Sequence, residues 1–333
     1  MINSNYGGKN SELEKYYNSL MTDMTSKISG HTSNIQQILL ETYNKPKLSA
    51  EYWSEAKRKI NNEYNAIKRT YQKYAVSSIP KAYRHSMQDL FRQLNKDREV
   101  ALLAKRSFND LAFSASTSTI TNALYKDALA DVITALDAGQ GELNKILRKT
   151  RQGLLNEARV NSSIIKAIEK GNLMKNTSYN LSSSLASQLQ TLVVYTQSQA
   201  FVIVNGRKYT PEYYAELVTR TKFHEAQAYG AIATCKNYGT ELVRVSSHNT
   251  ETAICADYEG RIYSLGGTDS RFPPLDVVPP YHPNCLHLLF PVFESGLIAD
   301  GTLQGMSEFS KGEIDRPPVP ASFIPVGKRK LVG

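Results

Sequence analysis

The chain has 333 residues, 41% of them hydrophobic and 21% charged, which excludes wholesale disorder and is enough for about two domains. Its longest apolar stretches, such as residues 200–204, are far shorter than the ~18 residues of a membrane helix, and the polar residues 1–15 predict no signal peptide. The formal net charge of +9 lies in the first half, because residues 1–171 carry 26 Lys and Arg against 17 Asp and Glu, whereas residues 172–333 carry 14 against 14. The basic half indicates either contact with a polyanion or an acidic partner, or a basic solvated helical surface. Three cysteines, an odd number, favour reduced thiols in a cytoplasm over a disulfide scaffold.

The first half of the chain has the pattern of long helices. Apolar side chains recur at helical spacing over residues 11–170, and Gly and Pro are scarce there. Residues rich in turn formers predict four breaks between these helices, at 44–46, 77–80, 114–118 and 138–141. A polar stretch at 175–187 then predicts a linker or the start of a weakly amphipathic helix.

The second half alternates short apolar runs with turn signals. Residues 201–209, with an Asn-Gly pair at the centre, predict a hairpin with a type I′ turn. Thr210 and Pro211 predict the N-terminus of a long helix, and Gly239 predicts its C-terminal stop. Three strands are predicted at 241–247, 261–265 and 286–292.

These elements predict an α+β fold, in which a mostly helical domain precedes a small module of one long helix packed on a short antiparallel sheet. We expect a basic helical domain at 1–174, an α+β module at 175–295, and an extended or mobile tail at 296–333. The tail is rich in Gly and Pro, which disfavour regular structure.

The cysteines and histidines are concentrated in the second half. Four of the six histidines and all three cysteines lie between His224 and His287. Thiolate and imidazole are the ligands that Zn²⁺ prefers, in a tetrahedral set of four. The predicted ligands of a structural zinc ion, the one cofactor indicated, are Cys255, His282, Cys285 and His287, with His248 as the alternative ligand. The other interpretation is that the thiols are small buried side chains and that the imidazoles hydrogen-bond the backbone of a proline-rich turn.

No specific enzyme signature is found in the sequence. His224 and Glu225 are followed by Ala228 where a metalloprotease motif has its second His, and the Gly pair at 266–267 lacks the Lys of a phosphate-binding loop. We therefore predict no catalytic residue and no enzyme activity. The alternative is a metal-dependent nuclease or processing enzyme that uses the Cys/His cluster, with His248 or Glu225 as the base.

A second candidate site is a basic stretch of the first half. Between Lys57 and Arg84 there are eight basic residues and one acid, Glu63, and tyrosines are interleaved with them. Basic side chains neutralise phosphates without reading sequence, so this stretch predicts non-specific contact with nucleic acid. The predicted contacts are Lys57, Arg58, Lys59, Lys68, Arg69 and Lys73. For the tyrosines we favour an amphipathic helix that turns them toward the core.

The second half resembles a known family over residues 210–293. The resemblance lies in four blocks in a fixed order, which are 214–221, 242–248, 255–265 and 279–285, with Gly239 between the first two. Together they resemble phage minor capsid protein 2 of the Mu F-like head morphogenesis group. The family pattern often has a second Cys three residues before the position of Cys255, where this chain has Thr252, and a Cys at the position of His287.

This resemblance implies a structural role in a tailed bacteriophage. It implies a minor head protein that is made in the host cytoplasm and then lies inside the virion near the portal vertex. The implied partners are the portal protein, the major capsid protein and packaged double-stranded DNA, contacted without sequence preference. The implied function is to assist head assembly or DNA delivery, and no membrane partner is expected.

Overall fold

A computed structural model describes residues 11–44, 46–160, 165–166, 182–248 and 250–294. In chain order, its elements are α1 (Glu12–Asn44), α2 (Ala50–Leu94), α3 (Arg98–Ala101), α4 (Phe108–Ala112), α5 (Ala115–Val160), α6 (Ser183–Ser198), β1 (Val202–Val204), β2 (Arg207–Tyr209), α7 (Pro211–Tyr238), β3 (Leu242–Val245), α8 (Ala253–Ala256), β4 (Ile262–Ser264) and β5 (Leu289–Val292). The predicted α+β class is confirmed, because long helices make up the first part and small antiparallel sheets lie in the second. Among the described residues, no helix is both long and apolar enough to span a bilayer.

The described chain forms two compact units, and each is assembled from separate stretches. Unit A combines the stretch up to Met21, residues 76–128 and the chain from Leu217 onward, and unit B combines residues 22–75 and 129–216. The boundaries fall within α1, α2, α5 and α7, so each of these helices contributes to both units. The division at 1–174, 175–295 and 296–333 stays a prediction, and the tail lies outside the described residues.

Unit B has a core of apolar helix stripes. Buried side chains recur every three or four residues, which places each set on one face of its helix. The sets include Ile28, Ile35 and Leu39 of α1, Ile60, Tyr64, Ile67 and Tyr71 of α2, Val132, Leu136, Leu143 and Leu147 of α5, and Leu185 and Leu189 of α6. The Tyr64 hydroxyl also donates a hydrogen bond to the Phe201 carbonyl at 2.9 Å, which joins α2 to the residue before β1.

The predicted hairpin and the two ends of the long helix are confirmed. Strands β1 and β2 pair antiparallel across a turn in which Asn205 and Gly206 have φ of 48° and 76°, as a type I′ turn requires. The Thr210 hydroxyl accepts the Tyr213 N–H at 3.4 Å, so Thr210 caps α7. Gly239 ends the helix with φ of 74°, in the left-handed region that favours glycine.

Unit A contains a three-stranded antiparallel sheet of order β4–β3–β5. Val243 of β3 lies opposite Tyr263 of β4 and Pro291 of β5. The three predicted strands are confirmed with shorter bounds. Helix α7 packs on this sheet, because Gln227 hydrogen-bonds β5 and the Cys235 thiol lies 3.9 Å from the Leu242 carbonyl.

Two of the predicted breaks are wrong. Helix α2 continues through Pro80, because Ile79, Ala82 and Tyr83 are fully buried and their packing offsets the cost of about 3 kcal/mol that an internal proline imposes. Helix α5 continues through residues 138–141. Gly139 serves packing there, because a Cβ at this position would lie 1.8 Å from the Phe201 carbonyl oxygen.

The other breaks are found where they were predicted. Helix α1 ends at Asn44 and α2 begins at Ala50. The Ser114 hydroxyl accepts the Thr117 N–H at 3.2 Å as α5 begins. In the polar stretch at 175–187, Ser182 caps α6 by accepting the Leu185 N–H at 3.3 Å, and residues 175–181 lie outside the described part.

Candidate functional site

The cysteine and histidine cluster of unit A is built from two separate loops. Cys255 lies in the single-turn helix α8, between β3 and β4. Cys285 follows a turn in which its N–H bonds the His282 carbonyl at 3.1 Å and Asn284 has a positive φ of 63°. His287 lies two residues before β5. The two loops flank neighbouring strands of one sheet, which brings residues thirty positions apart into contact.

Three of the predicted ligands converge. Cys255 Sγ lies 3.9 Å from Cys285 Sγ, and Cys285 Sγ lies 3.4 Å from His287 Nδ1. The three donor atoms all lie within 4.8 Å of one another. Ligand atoms bound tetrahedrally to Zn²⁺ at about 2.0–2.3 Å are separated by roughly 3.5–3.8 Å. The two distances to Cys285 Sγ are therefore close to those between corners of a zinc tetrahedron.

A carboxylate supports the imidazole of this cluster from its other side. Glu259 Oε1 lies 3.5 Å from His287 Nε2, while His287 Nδ1 faces the thiols. The Glu259 carboxylate is itself held by the backbone N–H of His248 and by that of Thr250, the latter at 3.0 Å. A carboxylate that accepts the second N–H of a histidine ligand is the common support in zinc sites. Sequence reasoning gave Glu259 no role, although its place one helical turn after Cys255 puts it on the same side.

The charges in the cluster favour a thiolate next to an imidazolium. The hydrogen bond with Cys255 lowers the pKa of Cys285 and outweighs burial, which acts in the opposite direction; the same bond raises the pKa of Cys255. Burial lowers the pKa of His287, but its contacts with Cys285 and Glu259 raise it above the ordinary value. Cysteine binds a metal ion as the thiolate, which the lowered pKa of Cys285 favours, whereas His287 would bind the ion in its neutral form.

Two other predicted ligands lie apart from the three. His282 is half-buried, and its Nδ1 is 2.7 Å from the Pro283 carbonyl, which matches the interpretation of an imidazole bonded to the turn backbone. The His248 ring lies 5.0 Å from the His287 ring, but its Nε2 is 2.7 Å from the Ser246 hydroxyl. The His248 imidazole therefore lies beside His287 but is paired with Ser246.

The long helix, the sheet and the two loops of this cluster fall within one stretch of the chain. Residues 177–300 match the family model described as phage minor capsid protein 2. The resemblance to this family seen over residues 210–293 is confirmed by the match. Comparison with curated proteins finds no match, and comparison with solved structures finds none either.

The predicted nucleic-acid contacts lie on α2, within unit B. Lys57, Arg58, Lys59, Arg69 and Lys73 are exposed. Arg58 is paired with Glu55 on its own helix at 2.6 Å. Lys68 is half-buried and is engaged by Asp137 and Gln140 of α5, so this predicted contact has a structural partner.

Three of the four tyrosines between these cations face inward, as favoured from the sequence, and the fourth, Tyr74, is half-buried. Tyr64, Tyr71 and Tyr83 are fully buried, and Trp53 is 6% exposed. Aromatic rings that are buried in this way are not available to stack on unpaired bases. The groups of α2 that suit phosphate contacts are therefore its exposed cationic side chains.

Proposed function

We propose that the chain is a structural component of a tailed-bacteriophage head that lies inside the virion near the portal. There it contacts the portal protein and the major capsid protein, and it assists head assembly or DNA delivery. The observation that supports this proposal is the match of residues 177–300 to the minor capsid family. A minor component of this kind would be held against the inner wall of the head.

The proposal includes non-specific contact with packaged double-stranded DNA. Packaged DNA presents a dense field of phosphates, to which exposed Lys and Arg bind without reading the base sequence. The excess of positive charge lies in residues 1–171, and exposed cations of α2 belong to that half. The same charges would repel any basic surface of the head, which restricts the orientation of the chain.

Purified particles test the location. We expect the chain in DNA-filled and in DNA-free heads at few copies per particle, and we expect chemical cross-linking with mass spectrometry to join it to the portal protein. Cross-links that lie only on the outer face of the major capsid protein would contradict the interior location. A chain absent from both kinds of particle, while abundant in infected cells, would contradict the structural role itself.

We also propose that Cys255, Cys285 and His287 hold a structural zinc ion. The distances of 3.9 and 3.4 Å between donor atoms support this, as does the Glu259 carboxylate behind His287. The ion would join the α8 loop to the segment before β5. His248, the alternative ligand, would complete four ligands if its ring left Ser246, and a water molecule is the other candidate for that position.

Elemental analysis of purified protein tests the zinc proposal. We expect about one zinc per chain, lost in Cys285→Ser, because a structural site requires its thiolates. The matched control is His282→Ala, which removes an imidazole from the same turn but not from the cluster and is expected to keep the ion. Loss of zinc from both variants alike, or a disulfide between Cys255 and Cys285 in the protein isolated from particles, would contradict the proposed ligand set.

The alternative function, a metal-dependent nuclease, is less well supported by the site. The exposed fractions are 0% for Cys255, 2% for Cys285 and 2% for His287. A catalytic metal needs an open position that water and substrate can reach, and a duplex cannot approach side chains buried to this degree. Cleavage of plasmid DNA that is lost in Cys285→Ser and retained in His282→Ala would favour the nuclease instead.

A further inference from the structure

A groove in unit B is lined by cationic side chains from two helices. It lies between α2 and α5 and has a volume of about 340 Å³. The cationic lining residues are Lys57 of α2 and Lys145, Arg148 and Arg151 of α5. The lining residues, all within the described part of the chain, include no Asp or Glu. Positive charges that share a concave surface repel one another, so this α2–α5 groove is a place where an anion would be stabilised.

The groove contains a hydrogen-bond donor in need of an acceptor. Arg151 Nε is buried and has no partner among the described residues. Leaving such a donor unpaired costs free energy, and a buried charged group costs more than a neutral one. Lys145 is 3.7 Å from Glu142, so the net charge of the groove is somewhat less than four. An anionic oxygen bound in the groove would accept a hydrogen bond from Arg151 Nε and would balance the excess positive charge.

The arrangement of the cations points to a chain of phosphates. Lys145, Arg148 and Arg151 follow at intervals of three residues, so they lie on one side of α5. The seven residues from Lys145 to Arg151 span about 9 Å along a helix axis. Phosphates along one strand of DNA follow at about 3.4 Å, so this span covers about three successive phosphates.

We infer that the α2–α5 groove seats the phosphodiester backbone of double-stranded DNA. The inference rests on the DNA contact in the proposed function and assigns that contact to a defined site. The one aromatic side chain in the groove, Trp53, is 6% exposed and donates its Nε1–H to the Lys47 carbonyl, so it offers no face for stacking on bases. A duplex backbone therefore fits the groove better than a single strand does.

The sequence predicted one of these cations and missed the other three. Lys57 was among the predicted contacts on α2, but Lys145, Arg148 and Arg151 lie almost ninety residues further along the chain. The signal that was present is the three-residue interval of cations on an otherwise amphipathic helix. These three cations of α5 line the same groove as Lys57 because of how α2 and α5 pack within unit B, which the sequence pattern does not specify.

Binding of a labelled DNA duplex to the full chain, followed by fluorescence anisotropy across a salt series, tests the inference. The groove variant is Lys145→Gln/Arg148→Gln, in which both residues are exposed and helix-compatible. The matched control is Lys27→Gln/Arg207→Gln, which removes one Lys of α1 and one Arg of β2 from exposed positions in the same unit, neither of them a predicted contact. Each lysine has a carboxylate nearby, at 3.7 Å for Lys145 and 2.8 Å for Lys27.

We expect the groove variant to bind about tenfold more weakly at physiological salt, and its log–log salt slope to fall by about 2, because two phosphate contacts are lost. The control is expected to change affinity by less than about twofold. Equal losses in both variants would mean a general charge effect and would overturn the groove assignment, while DNA contact would stand. Absence of binding by the wild-type chain would overturn the DNA contact and the groove assignment together.

Trp53 provides a second readout, because it is the single tryptophan of the chain and lines the groove. We expect duplex DNA to change its emission in the wild type and in the control variant, but not in the groove variant. A change of emission with inorganic phosphate, combined with unimpaired DNA binding by the groove variant, would identify a small-anion site and would overturn the inference.

Discussion

The side-chain amide of Gln227 in α7 pairs with both backbone groups of Leu289 in β5. Gln227 Nε2 donates to the Leu289 carbonyl at 2.8 Å, and Gln227 Oε1 accepts the Leu289 N–H at 3.1 Å. Strand β5 is an edge strand of the sheet and pairs with β3 on one side. On its open side, the Gln227 amide makes the two hydrogen bonds that a further strand would make to Leu289. The long helix is thereby connected to the sheet edge nearest the candidate zinc site.

Replacing this amide is expected to destabilise the protein strongly. Gln227→Leu leaves the N–H and the carbonyl of Leu289 buried without partners, and each such group costs about 1–3 kcal/mol. We expect the free energy of unfolding to fall by about 2–4 kcal/mol, measured by urea denaturation. Gln37→Leu, at an exposed position of α1, is the control and should change it by less than about 0.5 kcal/mol. A loss of similar size in both variants would refute the role of Gln227.

Substitution by alanine should have opposite effects on stability at two helical glycines of unit B. Gly139→Ala places a Cβ 1.8 Å from the Phe201 carbonyl oxygen, so backbone must move, which costs about 1–3 kcal/mol. Around Gly30 the described residues leave open space, so Gly30→Ala should add up to about 1 kcal/mol through helix propensity. Thermal unfolding checks both. Stabilisation by Gly139→Ala would mean that the helix and the hairpin are further apart than described.

A buried carboxylate in unit A should make stability depend on acid pH. Glu14 Oε2 pairs with Arg220 at 2.8 Å, and Glu14 Oε1 lies 2.9 Å from His224 Nε2, with Glu14 2% exposed. Burial raises the pKa of Glu14, but His224 and Arg220 together lower it below the ordinary 4.5. Its contribution to stability is therefore complete above about pH 4.5 and is lost as pH falls through the lower, folded-state pKa.

The variant Glu14→Gln should reveal that dependence. At neutral pH it removes the carboxylate from Arg220, whose side chain is 17% exposed and still donates to Asn18, and we expect a loss of about 1–3 kcal/mol. Below pH 4.5 the difference from the wild type should shrink, because the wild-type carboxylate becomes protonated there. Glu12→Gln, at an exposed position of the same helix, controls for the loss of charge. Urea titrations at several pH values measure both, and a difference that stays constant with pH would contradict the assignment.

The carboxylate behind the candidate zinc ligand should tune metal affinity. Glu259→Gln weakens the partner of His287 Nε2, and loss of such a partner typically costs about 10–100-fold in affinity. We expect a decrease in that range in competition with a chromophoric chelator. Glu251→Gln, an exposed acid of the same loop, should bind zinc as the wild type does. Equal affinity in the two variants would mean that Glu259 only holds the loop.

Local signals in the sequence predicted the elements whose boundaries depend on the nearest residues. Thr210, Pro211 and Gly239 act through their own backbone and capping groups, so the two ends of α7 could be read directly. Pro80 and Gly139 have the same local tendencies, yet both lie within continuous helices. Packing against residues distant in sequence determines those two positions, and a single sequence contains no direct record of it.

The residue types of the candidate zinc site could be predicted from the sequence, but not every residue that contributes to it. Spacing within 282–287 indicated Cys285 and His287, and the preference of Zn²⁺ for four N or S ligands added Cys255. The turn points His282 toward its own backbone, and the loop before β4 brings Glu259 to His287 instead. Which side chains of a turn face inward depends on backbone dihedrals, such as the positive φ of Asn284, that spacing alone does not determine.

The close approach of Gly139 to Phe201 limits how the chain can change length during evolution. One residue inserted into α5 ahead of Gly139 would rotate the following helix by about 100° and advance it by about 1.5 Å. A side chain would then meet the Phe201 carbonyl, which also accepts the Tyr64 hydroxyl. Insertions and deletions in related chains should therefore be absent between residues 129 and 139 and should accumulate at the connections between helices.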